Sequence, residues 1–317
     1  MDNIGIVFPG QGSQYVGMGR ELYDGFHGVR EVFDRAEKAL KIDIARLCFE
    51  GPQEALDLTP NTQAAVLTVD VALYQVFESV IGLEPKVLAG HSLGEYAALC
   101  AAGAIDFSDA VRLVYARGHY QQEAVPPGEG CMAAIIGLHR ESVEEICQTA
   151  DKNDGVVEIA NDNSPGQSVI SGSTAAVEHA MTKAKEKGAR MAVKLPISVP
   201  CHCSLLDEAA QRLKEYLDAV AIQDCRIPVI PNFDPQVLHS RGTTKKLLAQ
   251  QLNSPVRWQE TVALMSRMGI QTIIEIGPKK TLSSLMRRID RDIKTLNIED
   301  KASLEVAADF FDGGEAA

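Results

Sequence analysis

The stretch Lys86-Val87-Leu88-Ala89-Gly90-His91-Ser92-Leu93-Gly94 decides the fold class. Lys86 to Gly90 reads as a short buried strand, and Leu93 to Ala102 has the apolar spacing of a helix that ends at Gly103. Between them lies Gly90-x-Ser92-x-Gly94, a tight strand-to-helix turn of the kind that lifts a serine hydroxyl above a sheet. Glycine is required on both sides because a Cβ there would collide with the neighbouring strand or helix. With 25 glycines in 317 residues, roughly 0.1 such motifs would arise by chance. The plainer reading is a serine that caps a helix after a tight turn.

Outward from this turn the elements alternate. An opening strand, Ile4 to Phe8, runs into the glycine-rich turn Pro9-Gly10-Gln11-Gly12-Ser13-Gln14, and a helix follows. Thr59-Pro60-Asn61-Thr62 supplies an N-cap threonine with proline at the first helical position, and Ala64 to Val80 has the pattern of a largely buried helix. Thr272 to Ile276 is a closing strand stopped by Gly277-Pro278. The middle differs. Between Val125-Pro126-Pro127-Gly128 and Leu195-Pro196-Ile197-Ser198-Val199-Pro200 the order is strand (131–138), helix (141–150), strand (156–160), strand (167–171), helix (173–187), strand (191–195). That βαββαβ order is ferredoxin-like. The chain therefore divides into a large α/β domain, residues 1–126 and 198–317, and a small inserted domain, residues 127–197.

Composition narrows the function classes. Hydrophobic residues make up 45% and charged residues 23%, as in ordinary globular chains. A net charge of −12 argues against nucleic acid as a partner, since phosphate binding calls for basic surface. No apolar run approaches the ~18 residues of a membrane helix, and Met1-Asp2-Asn3 begins no basic leader, so membrane insertion is not expected. Seven cysteines without a Cys-x-x-Cys pair suit reduced thiols in a cytoplasm. From Glu299 onward six acids face Lys301 alone, which predicts a flexible acidic tail over residues 299–317.

A serine nucleophile needs a base within hydrogen-bond reach. Of seven histidines, His27, His139, His179 and His239 lie in polar segments expected to be exposed, and His119 lies on a helix. His91 adjoins the serine but points elsewhere from the turn. His202 follows the second proline joint, where the chain re-enters the large domain, and is the favoured base. Zinc binding by Cys201-His202-Cys203 is disfavoured, because alternate side chains of an extended segment face opposite ways and no second ligand cluster follows. No acid recommends itself as a third triad member. The Gly10-Gln11-Gly12 turn fails as a dinucleotide loop, since Tyr15 stands where a third glycine is required.

At Phe8-Pro9-Gly10-Gln11-Gly12-Ser13-Gln14, Gly90-His91-Ser92-Leu93-Gly94-Glu95-Tyr96, Arg117-Gly118, Asn163-Ser164-Pro165-Gly166-Gln167, Val199-Pro200-Cys201-His202 and Pro255-Val256-Arg257-Trp258 the chain resembles malonyl-CoA:acyl carrier protein transacylases. The six strings fall in order, and the match runs from the first strand to about residue 290. The resemblance implies a hydrolase-like α/β domain with a parallel sheet core and an inserted ferredoxin-like domain. It implies Ser92 as nucleophile, His202 as base, the backbone N–H groups of Gln11 and Leu93 as oxyanion hole, and Arg117 as partner of the malonyl carboxylate. It also implies a histidine oriented by a backbone carbonyl, at Asn253 or Ser254, in place of an acid. Without the resemblance, Arg117 reads as an ordinary salt-bridge arginine on the helix from Phe107.

The expected activity is malonyl transfer from malonyl-CoA to the phosphopantetheine thiol of acyl carrier protein, through a malonyl-serine, for fatty-acid synthesis. No bound cofactor or metal is expected: CoA is part of the substrate and the pantetheine arrives on the partner. Alternatives are a free-standing acyltransferase that loads polyketide carriers, a serine esterase or thioesterase, and a non-catalytic carrier-binding module. An acidic carrier calls for local basic surface, for which Lys279, Lys280, Arg287, Arg288 and Arg291 are the candidates, with Lys183, Lys185 and Lys187 second. Arg257 and Trp258 are expected to be structural.

Overall fold

The structure is a computed structural model that describes residues 3–197 and 199–313. Its strands, in chain order, are β1 Ile4–Phe8, β2 Val87–Gly90, β3 Gly130–Ile136, β4 Val157–Ser164, β5 Gln167–Ser173, β6 Met191–Lys194, β7 Val229–Ile230, β8 Thr272–Ile276 and β9 Lys294–Ile298. They form two sheets. The larger has the order β7-β2-β1-β8-β9, all parallel. β1, β2 and β8 are buried along their whole length, so they read as continuous apolar runs instead of alternating ones.

The smaller sheet is antiparallel with the order β4-β5-β3-β6, the arrangement a βαββαβ chain adopts when one βαβ unit is split by a third strand. Helices Arg140–Asp154 and Thr174–Glu186 cover one face. Cys131, Ala133 and Ile135 on β3 point into a cluster with Val143, Ile146, Val177 and Ala180. Met132, one position out of phase, joins Ala160 and Val169 in the main core. The small sheet therefore rests on the large body by its uncovered face. β4 runs further than its apolar stretch, to Ser164, because Asp162 and Ser164 stay paired with Ser168 and Gln167 of β5; on the other edge Asn161 bridges to Val256, where Asp162 N–H donates to Val256 O and Val256 N–H donates to Ala160 O, both at 2.9 Å.

Two expectations need correction. The segment after Glu299 is no flexible tail as far as residue 313: Lys301–Asp312 is a helix begun by a capping box between Asp300 and Ser303, and Leu304 and Ala307 are buried in the main core. Acidic composition missed this because the apolar face needs only a few residues. Residues 314–317, the end of the expected tail, and Ser198 at the second joint lie outside the described residues. Thr59 is also inside its helix, Thr59–Val80, with Leu58 at the cap position; Thr62 Oγ1 donates to Leu56 O at 2.6 Å instead. No helix among the described residues is long and apolar enough to cross a membrane.

The helix Thr59–Val80 carries an unusual buried acid. Asp70 is fully buried, and neither carboxyl oxygen has a hydrogen-bond partner among the described residues. Burial, reinforced by Glu275, pushes its carboxyl well above the usual carboxylate range. The folded state thus holds this proton to higher pH than the unfolded chain. The stability tied to it is complete below the unfolded value and is lost as pH rises through the folded one. Asp70→Asn should flatten that loss: as pH rises above the ordinary carboxylate range, the Tm of the variant should fall less than that of the parent. Parallel Tm profiles for the two proteins would refute a protonated Asp70.

Candidate active site

Ser92 sits between β2 and the helix Gly94–Ala101 in the left-handed region, φ 52°, where a residue with a Cβ stays only if its surroundings hold it. A Cβ at Gly94 would overlap the carbonyl oxygen of Phe8 at the end of β1, and one at Gly90 would overlap the Gly94 backbone. Backbone packing thus leaves room for glycine alone, and the turn presents the hydroxyl.

Ser92 Oγ donates to His202 Nε2 at 2.7 Å. His202 is itself at φ 62° and 2% exposed. Its Nδ1 faces two carbonyl oxygens, Gln251 O at 2.8 Å and Ser254 O at 3.2 Å, so the ring proton belongs on Nδ1 and Nε2 is left with a free lone pair. Burial, with the Arg117 charge adding to it, lowers the imidazolium to about 3 despite the opposing pull of the two carbonyls. At neutral pH the ring is a neutral acceptor aimed at a hydroxyl.

The carbonyl expected at Asn253 or Ser254 is thus supplied by Gln251 and Ser254. Asn253 turns its side chain to Asp207 at 2.8 Å. Gln251 was not singled out in the sequence, and no motif there marks it; it reaches the ring because it ends the helix Thr244–Gln251. The Ser254 segment is anchored by the Val256 pairing with β4, by Arg257 N–H donating to Asn232 O at 3.0 Å, and by Trp258, which is fully buried and packs 5.5 Å from the His91 ring. His91 Nε2 donates to Asn163 Oδ1 at 2.9 Å, away from the hydroxyl.

Arg117, on the helix Phe107–Ala124, is 1% exposed. Its Nη2 donates to Ser92 Oγ at 3.2 Å and to Gln251 Oε1 at 3.0 Å; its Nη1 donates to Gln63 Oε1 at 2.9 Å and Gln121 Oε1 at 3.3 Å. All four acceptors are uncharged, and no carboxylate pairs with this guanidinium among the described residues. A buried cation surrounded by neutral amides, beside a serine hydroxyl, has its charge left uncompensated and can pair with an anionic group.

Gly10 packs against the serine turn so closely that an added Cβ would lie 3.5 Å from Leu93 N. The backbone N–H groups of Gln11 and Leu93 have no acceptor among the described residues, whereas Ser13 N–H and Ser13 Oγ both donate to Gly10 O. The Gly10 turn and the serine turn are thus in backbone contact, each with an uncommitted N–H.

The basic side chains are less free than their charge suggests. Lys279 Nζ donates to Gly12 O at 2.9 Å, Arg287 Nε to Thr295 Oγ1 at 3.0 Å, and Arg288 Nη1 to Gln167 Oε1 at 2.7 Å. With Lys280 and Gln167, Lys279 and Arg288 line an open groove of about 360 Å³. Lys183 and Lys187 pair with Glu186 and Glu145. His239, expected to be exposed, is instead 5% exposed and bonded to Glu95 and Thr244; a polar neighbourhood in sequence does not reveal a polar cluster in the core.

Comparison with known proteins places this geometry. The family described as acyl transferase domain matches residues 6–307. A malonyl CoA-acyl carrier protein transacylase of Bacillus subtilis is 44% identical over 307 residues, 97% of this chain and 96% of that protein. The solved malonyl CoA-acyl carrier protein transacylase of Coxiella burnetii superposes with a TM-score of 0.94 at 45% identity, covering 97% of each chain. A malonyl-transacylase solved in complex with a type II PKS acyl-carrier protein gives 0.95 at 41% identity, over 98% of this chain and all of that one.

Proposed function

The chain belongs to the malonyl CoA-acyl carrier protein transacylases of the acyl transferase family, and from that membership we propose that it moves a malonyl group from malonyl-CoA to the phosphopantetheine thiol of acyl carrier protein through a malonyl-Ser92 ester. The observation that carries this reading is the trio Ser92, His202 and Arg117 within hydrogen-bond reach of one oxygen. The guanidinium stands so near Oγ that the terminal carboxylate of a short diacid can meet it while the diacid's other carbonyl meets the hydroxyl.

Ser92 Oγ attacks the thioester carbonyl carbon as its proton passes to His202 Nε2. The oxygen that becomes negative lies at the N–H groups of Gln11 and Leu93, the latter at the start of a helix. The C–S bond breaks, and His202 returns the proton to the departing CoA sulfur. A pantetheine thiol then gives its proton to Nε2 and attacks the ester, and the C–O bond breaks as Ser92 regains its proton. Carbonyl oxygens at Nδ1 suffice for this cycle: they fix the tautomer and bond the imidazolium without a buried carboxylate. Arg117 selects the acyl group by its charge.

Residues 127–197 are read as the inserted unit whose β4 supplies Asn163 and braces the Ser254 segment. Lys279, Lys280, Arg287 and Arg288 are read as the carrier-facing surface, since all four are exposed, three of them line one groove and Lys279 reaches the Gly12 turn. A cytoplasmic site suits the seven cysteines, all free.

Intact-mass analysis after mixing with malonyl-CoA should show one malonyl adduct, lost on addition of holo acyl carrier protein and missing in Ser92→Ala. No adduct in the parent protein would defeat the reading, and an adduct that water clears as fast as the carrier does would make the protein a thioesterase. The likeness to a transacylase bound to a type II PKS carrier supports a second reading, loading of polyketide carriers with the same residues. Discharge rates with a fatty-acid carrier and a polyketide carrier, compared side by side, separate the two.

A further inference from the structure

Glu95 touches neither the Ser92 hydroxyl nor His202, yet it lies behind both. It stands in the first turn of the helix Gly94–Ala101 and is fully buried. Its Oε2 accepts from Asn232 N–H at 2.8 Å and from Gln251 Nε2 at 3.0 Å, and its Oε1 faces His239 Nε2 at 2.8 Å. The other nitrogen of His239 lies 3.1 Å from Thr244 Oγ1. Thr244 begins the helix Thr244–Gln251 and Gln251 ends it, so the Glu95–His239 pair grips that helix at both ends.

The two residues bound to Glu95 hold the reaction centre. Asn232 Oδ1 accepts from Ser92 N–H at 2.5 Å, and its Nδ2 donates to Gly90 O at 2.6 Å. Gln251 Nε2 donates to Ser92 O at 2.8 Å, Gln251 O accepts from His202 Nδ1, and Gln251 Oε1 accepts from Arg117 Nη2. Glu95 decides which way the Gln251 amide faces, because only its nitrogen can donate to the carboxyl; the amide oxygen is then turned to the arginine. The serine backbone is held at its N–H and its C=O in a conformation it would otherwise leave.

We propose that Glu95 and His239 form a buried positioning pair that, through Gln251 and Asn232, sets Ser92 and His202 in register for acyl transfer. This rests on the reading of Ser92 as nucleophile and His202 as base. Removing the carboxyl orphans three buried donors at once, on Asn232, Gln251 and His239, and they relax by moving the groups they hold.

The test is the acylation half-reaction of the full-length chain, followed by rapid quench and intact mass across malonyl-CoA concentrations. Glu95→Leu keeps the volume and removes the acceptor. It should lower the saturating rate of malonyl-Ser92 formation by at least about tenfold, because sub-ångström misplacement of a nucleophile is enough for that. The half-saturating malonyl-CoA concentration should stay within about threefold, since Arg117, although it shares Gln251, is still held at Nη1 by Gln63 and Gln121. Glu95→Gln should recover to within about threefold of the parent: its amide oxygen can serve Asn232 and Gln251 while its nitrogen donates to the other tautomer of His239. His239→Leu should slow the saturating rate in the same way, and it decides the matter if Glu95→Leu does not fold. Parent-like acylation in Glu95→Leu and His239→Leu, or Glu95→Gln as slow as Glu95→Leu, would overturn the pair while leaving the proposed function intact. A parent protein that forms no adduct would overturn the proposed function itself.

Discussion

His202→Ala should slow malonylation of Ser92 by about 10³-fold, within the range a positioned general base contributes. The expectation follows from three features of the ring. Its Nε2 accepts from Ser92 Oγ at 2.7 Å, its Nδ1 proton is fixed by the carbonyls of Gln251 and Ser254, and burial keeps it neutral. Without the ring, the hydroxyl keeps the Arg117 Nη2 donor and loses its proton acceptor. Added imidazole should restore part of the rate by occupying the vacated space, which a merely structural loss would not allow. A loss under about tenfold would show that another group takes the proton.

The pH dependence follows from the same ring. The base form of an imidazole lowered to about 3 exists throughout the range above that value. kcat/KM for malonyl-CoA, which reports the free enzyme, should therefore show no histidine inflection between pH 5 and pH 8. Arg117 is the second cause of the lowered value, after burial. Pairing its charge with a malonyl carboxylate weakens that push, so the bound substrate makes His202 a better proton acceptor when one is needed.

Arg117→Ala should cut malonyl transfer by one to two powers of ten, the worth of charged hydrogen bonds of about 1.5–3 kcal/mol. Acetyl transfer should be kept or rise, because the site no longer holds a buried cation that an uncharged acyl group would leave unpaired. The acid limb of kcat/KM should also move up toward the ordinary histidine range as the cationic neighbour is lost. Competition between malonyl-CoA and acetyl-CoA for Ser92, read by intact mass, measures the switch. Equal losses for both acyl groups would make Arg117 a packing residue that only holds Gln63, Gln121 and Gln251 in place.

Much of the site is legible in one dimension because its chemistry depends on short-range backbone constraints. A serine can occupy φ 52° between a strand and a helix only where glycines flank it, and that requirement is written in five consecutive residues. The βαββαβ order was likewise readable from the succession of runs between the two proline joints, whereas the opposite facing of Cys131, Ala133 and Ile135 from Met132 was not, since Cys131 to Ile136 is apolar throughout. Arg117 and His202 were named through resemblance and position. The residues that hold them, Gln251, Asn232, Gln63 and the Glu95–His239 pair, were not, because a polar side chain in a polar segment looks the same whether it faces water or a buried partner.

By itself the sequence determined the turn that exposes Ser92, the alternation of strand and helix, and the interruption by a small domain, all of which follow from local sterics and periodicity. Only the tertiary structure decided which carbonyls orient His202, that Arg117 is buried without a carboxylate among the described residues, that Val256 bridges to β4, and that an acidic C-terminal segment is a docked helix. Each of those depends on contacts between residues far apart in the chain, and the hydrogen bonds involved have no signature in the order of the amino acids, only in their meeting.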